Sequence, residues 1–157
     1  MKRNAILGVS TALLLILATL GCKTSGMALT TRGQLLKINI QHPKDLPDAG
    51  EDNLDIEISN RGVNNVEDVL ADVELPAQLV VLDQTADRGV NVMHDSGSNV
   101  YHFTMNKLQP GDTSHIRFHV RTAFGSAQQS DNVKVTAWQH NLPNSKLVRT
   151  ALIKLWR

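Results

Sequence analysis

The chain has 157 residues, with 16 lysines and arginines against 15 aspartates and glutamates, six histidines, one cysteine and a formal net charge of +1. A charge this close to zero excludes the broad basic field that holds nucleic acid, and a single cysteine excludes an internal disulfide or a paired-cysteine redox centre.

Met1-Lys2-Arg3-Asn4 carries two positive charges, and residues 5–20 are almost wholly apolar before Gly21-Cys22. A charged start, an apolar middle and a small residue at the cut make up a secretory signal. A permanent membrane span needs about 20 apolar residues; this run is shorter and contains Gly8, Ser10, Thr11 and Thr19, so its removal is expected. The Leu20-Gly21-Cys22 ending resembles the lipobox of bacterial lipoproteins, with Thr19 and Leu20 in the opposite order from that family's usual leucine and small residue. The resemblance implies cleavage after Gly21, lipidation of Cys22 and attachment to the membrane through the lipid. By analogy with Gram-negative lipoproteins, the absence of aspartate directly after the cysteine implies export to the outer membrane. The residues also admit an ordinary signal peptide cut near Ala18, which leaves a free thiol in an oxidising compartment.

A chain starting at Cys22 keeps 136 residues, and losing Lys2 and Arg3 leaves 14 basic against 15 acidic residues. That length suits one domain. The expected organisation is a signal over 1–21, a tether over 22–33 and one folded domain over 34–157.

From Gln34 the apolar period is two, as along half-buried strands. Leu36, Ile38 and Ile40 alternate with polar residues, as do Leu54, Ile56 and Ile58; the rhythm returns at Val69–Leu75, Tyr101–Met105, Ile116–Val120 and Val133–Ala137. Turn residues separate these runs at His42–Asn53, Asn60-Arg61-Gly62, Asp95-Ser96-Gly97, Gln109–Asp112 and Asn141–Ser145. Six to eight short strands at this spacing predict an antiparallel sandwich.

The turn and core motifs together resemble a known class. Asn60-x-Gly62, Leu75-Pro76-x-x-Leu79, Leu108-x-Pro110-Gly111-Asp112 and Asn132 before a valine-rich strand are similar to the immunoglobulin-like conserved repeats of bacterial surface proteins, as in the chlamydial cysteine-rich outer membrane protein. The resemblance spans residues 34–140. It implies an immunoglobulin-like antiparallel β-sandwich of about seven strands and a structural or adhesive role without catalysis. The segment 146–157 is an addition to that pattern.

His115 and His119 stand four apart, as in zinc-binding helices, but Ile116, Phe118 and Val120 alternate with them, so the segment is a strand. Four residues of strand rise place the rings about 13 Å apart, too far to share one ion through bonds of about 2 Å. The result is a stripe of His115, Arg117, His119 and Arg121, a candidate for binding an anionic envelope glycan or lipid headgroup. Asp45, Asp48, Glu51, Asp52 and Asp55 crowd one connection; an acidic solvated loop is the plain reading and a calcium loop the alternative. Ser96 lacks the Gly-x-Ser-x-Gly elbow of a hydrolase and reads as a turn residue. No metal or cofactor is expected.

The last twelve residues, KLVRTALIKLWR, admit two readings. As a strand they put Leu147, Ala151, Ile153 and Leu155 on one face and Val148, Leu152 and Trp156 on the other. As a short helix they stack Leu147, Ala151 and Leu155. In the strand reading only one face meets a core, and Trp138 on the preceding strand points with the other. That contiguous apolar patch of Trp138, Val148, Leu152 and Trp156 is the candidate contact for an envelope protein or for a second copy of the chain. The function expected is a lipid-anchored binding module, with a small envelope hydrolase as the rival from another class.

Overall fold

The computed structural model of the chain describes residues 28–29, 35–125 and 129–155. The expected signal segment, Cys22, most of the expected tether and Trp156 lie outside the described residues.

The period-two runs become strands because each buries one row of aliphatic side chains against a facing row. In chain order they are β1 (Ala28–Leu29), β2 (Leu35–Gln41), β3 (Asp45–Leu46), β4 (Glu51–Asn60), β5 (Val66–Glu74), β6 (Leu79–Ala86), β7 (Val90–His94), β8 (Val100–Leu108), β9 (Thr113–Thr122), β10 (Gln129–Gln139) and β11 (Leu142–Leu155). There is no helix among the described residues. One sheet has the order β1-β2-β4-β9-β6, the other β3-β11-β10-β5-β8-β7. Every pairing is antiparallel except the two-residue contact of β3 with β11. Between the sheets lies one core: Ile38, Leu54, Ile56, Ile58, Ile116, Phe118 and Val120 face Val69, Val73, Phe103, Met105, Val133, Val135, Ile153 and Leu155. Phe118 and Phe103 meet edge to face across it at 5.9 Å, and Tyr101 packs on Phe118 at 5.0 Å.

Two expectations need correction. The connection expected over His42–Asn53 is shorter, because residues 51–53 already pair with His119–Arg121 as the start of β4. The turn expected over Asn141–Ser145 is also tighter, since β11 starts at Leu142 and pairs with Gln139. Strands β6 and β7 carry no clean alternation, because both are edge strands, exposed along much of their length, and β6 has a bulge between Val81 and Asp83. An edge strand has only one neighbour and a shallow buried row, so its side-chain pattern is loose.

Two of the sequence motifs form one clasp. Asn60 is fully buried. Its Nδ2 donates to the carbonyls of Asn64 and Leu108 at 2.7 and 3.0 Å, and its Oδ1 accepts from the Gly62 amide at 2.9 Å. Its backbone amide donates to Asp112, and its carbonyl accepts from Gly111 at 2.9 Å. Gly111 has φ +86°, a conformation that side chains resist, and Asp112 Oδ2 accepts from the Gln109 amide at 2.8 Å. The Asn-x-Gly turn and the Pro-Gly-Asp turn therefore lock the β4 and β9 ends of the sandwich together.

Candidate functional site

Strand β11 places the terminal segment. Fourteen residues long, it pairs with β10 through most of its length, and its odd-numbered row from Leu147 to Leu155 turns toward the core. The even row turns out to solvent: Val148 is 47 % exposed and Leu152 52 %. The strand reading of this segment is the correct one. Val148 lies opposite Thr136, Leu152 opposite Asn132, and Trp138 opposite Leu70 of β5, so all belong to the outer face of the second sheet.

The expected patch is divided, however. Thr150 and Lys134 stand opposite each other between Val148 and Leu152, and Lys134 Nζ reaches Glu74 Oε1 at 2.7 Å. Trp138 is half-buried, with Lys146 Nζ 4.4 Å above its ring centroid. The surface is two apolar spots around a polar row, not one continuous stripe. Val80 and Leu82 on edge strand β6 are the other exposed apolar pair on a strand face.

The stripe of His115, Arg117, His119 and Arg121 lies along β9 on the outer face of the first sheet. Beside it stand Glu51 and Asp55 of the acidic run, which lie on β4 rather than in a loop. Arg117 Nε bonds Asp55 Oδ1 at 2.6 Å, His119 Nε2 stands 3.5 Å from Glu51, and Arg121 stands 4.0 Å from the same carboxylate. His115 is opposite Glu57. Basic and acidic rows thus face each other across the β4–β9 ladder, as cross-strand charge pairs do. A hollow of about 360 Å³ lined by Asn53, Asp83, Thr85, Arg117 and His119 opens here. An anion entering it competes with carboxylates already present. Of the rest of the acidic group, Asp48 accepts the Gly125 amide at 3.0 Å and Asp52 accepts the Asn53 amide at 2.7 Å. Among the described residues no group of three His, Cys, Asp or Glu side chains is placed to hold a metal ion.

Sequence reasoning missed a histidine pairing on the second sheet. His102 on β8 donates through Nδ1 to Asp72 Oδ1 at 2.7 Å, and its Nε2 faces Asp95 at 3.8 Å. The available signal was the alternation itself, since His102 falls between the core residues Tyr101 and Phe103. Ser96 sits exposed in the β7–β8 turn. Tyr101, stacked on His94 at 4.1 Å, has its phenol pushed above the ordinary value of 10.0 by burial.

No family model and no curated protein matches the chain. Solved structures do. A CARDB domain from Pyrococcus furiosus in complex with two metal ions is similar at 14 % identity and TM-score 0.52, over 81 % of this chain and 92 % of that one. The cohesin–dockerin type I complex from Clostridium thermocellum is similar at 8 % identity and TM-score 0.53, over 77 % and 93 %. AvmM, which catalyses a macrocyclization, is similar at 9 % identity and TM-score 0.53, over 80 % and 89 %. The fold is an immunoglobulin-like β-sandwich, as expected, with nine strands of five residues or more among the described residues against the about seven foreseen. At such identities the likeness concerns fold, and the same fold carries binding modules and an enzyme alike.

Proposed function

We propose that this chain is a non-catalytic interaction module of the bacterial envelope, held at the outer membrane by a lipid on Cys22, that binds a protein partner through the outer face of the β10–β11 hairpin. The observation that carries the reading is on β11: Val148 and Leu152 are about half exposed while Leu147, Ile153 and Leu155 on the alternate row are buried. Leaving large aliphatic groups in water on one face of a strand forgoes roughly 1 kcal/mol or more of burial for each, which a partner recovers. The cohesin similarity is in keeping with a sandwich that works by binding. The Asn60 and Asp112 motifs favour kinship with the conserved repeats of bacterial surface proteins.

The test is the double variant Val148→Ser with Leu152→Ser in the full chain. Capture of the envelope partner, identified by mass spectrometry on the unaltered chain, is expected to disappear while the melting curve stays in place. Capture at the wild-type level would refute the reading.

A further inference from the structure

On the lateral side of the sandwich, where the edges of the two sheets approach, β2 and β11 border a cleft of about 500 Å³ lined by residues 37–40 and 42 of one edge and 149–152 of the other. Among the described residues, β2 meets β1 only at Leu35 and Leu36, and β11 meets β3 only at Lys154 and Leu155. Among the described residues, the outer edge of β11 up to Ile153 therefore has no ladder partner. An open edge of this kind takes up an extended chain by main-chain hydrogen bonding.

The charge of the cleft is one-sided. Among the described residues its ionisable lining consists of Lys37, His42 and Arg149, with no carboxylate. Arg149 occupies the row of β11 that otherwise faces the core, and it is half-buried. Neither the Lys37 ammonium nor the Arg149 guanidinium has a hydrogen bond or ion pair among the described residues. Glu57, opposite Asn39 across the β2–β4 ladder, is held by the Asn39 and Gln41 amides at 3.0 and 2.7 Å. The rest of the lining is largely apolar: Ile38, Ile40, Ala151 and the exposed Leu152. A strand laid along β11 presents alternate side chains to the cleft and to Leu152.

We propose that the free edge of β11 takes up an extended acidic segment of a protein partner as an added strand, its carboxylates entering the cleft toward Lys37 and Arg149 and its apolar residues covering Leu152. The proposal rests on the protein-partner reading above and names the partner's chemistry. Charge disfavours the other occupants. Residues 23–27 of the chain bring a lysine and no acid, and a second copy of β11 brings Lys146, Arg149 and Lys154 with no acid against the same edge. Charges of this kind also guard a sheet edge against aggregation; a guard alone binds no peptide, so the two roles separate by experiment.

The experiment measures fluorescence anisotropy of a labelled octapeptide alternating valine and glutamate, titrated with the full chain. Controls are the valine–lysine octapeptide, a copy N-methylated at alternate residues, and phosphatidylglycerol vesicles. Saturable binding of the acidic peptide is expected, at least tenfold weaker after N-methylation. Lys37→Glu with Arg149→Glu is expected to weaken it at least tenfold and to admit the lysine peptide, a gain that also shows the variant is folded. The proposal is overturned by acidic binding that survives charge reversal, by binding to the vesicles alone, or by no preference for the acidic peptide. It is equally overturned if the peptide binds only after residues 22–27 are deleted, or if sedimentation shows a dimer that charge reversal dissolves. Should the peptide fail while Val148→Ser with Leu152→Ser still abolishes partner capture, the cleft is ruled out and the outer-face reading stands; retained capture in that variant removes the outer-face reading by itself.

Discussion

Asn60 carries five hydrogen bonds from a fully buried position, three through its side chain. Asn60→Ala leaves the Leu108 carbonyl and its neighbours without their donor, and an unsatisfied buried polar group costs about 1–3 kcal/mol. A loss of about 2–3 kcal/mol in urea denaturation is expected; a change under about 0.5 kcal/mol would show that the clasp is decorative. The Arg117–Asp55 pair, though shorter, is partly exposed at both ends, and pairs of that kind contribute about 0–1 kcal/mol. It fixes local side-chain order more than stability. Tyr101 adds a pH dependence. Burial raises its phenol in the folded state, so the native chain favours the neutral form. The associated stability is complete below the unfolded value of 10.0 and is lost as pH rises through the folded value. Tyr101→Phe should therefore flatten the decline in melting temperature above pH 10, and an unchanged alkaline decline would contradict the assignment.

Elements were legible where a strand is buried on one clean face. The cores of β2, β4, β5, β8, β9 and β10 follow directly from Leu36, Ile56, Val73, Phe103, Phe118 and Val135 and their polar alternates. Edge strands β6 and β7 escaped, because one neighbour imposes little pattern. The acidic and basic groups were visible but not their pairing, since residues 51–55 and 117–121 meet only through the β4–β9 register. Lys37 and Arg149 were missed because no local pattern says that two edges from different sheets border one cleft. The arginine on the inward row of β11 was the available clue. The alternation along β11 yields a sharp contrast. Ile153 is fully buried, and Ile153→Ala should cost about 2–5 kcal/mol. Val148→Ser with Leu152→Ser should stay within about 0.5 kcal/mol for each exposed site. Equal costs on the two rows, measured by denaturation, would mean that the even row is covered within the chain itself.

For the whole molecule, a single small sandwich with a one-sided lateral cleft and a partly apolar outer face suits a module that works by contact. Anchoring by Cys22 predicts that Cys22→Ser moves the protein from the membrane to the soluble fraction, with the wild-type intact mass showing a lipid-sized increment over residues 22–157; an unmodified wild-type chain starting before Cys22 would contradict it. The central claim is that the β10–β11 side is where a partner binds. Its most direct measurement is photocrosslinking in intact cells of the host, with p-benzoylphenylalanine placed at position 152 in one chain and at position 82 on β6 in another. The account predicts a specific protein adduct from position 152, lost when Val148→Ser is added, and none from position 82. An adduct from position 82 alone, or none from position 152, would contradict it.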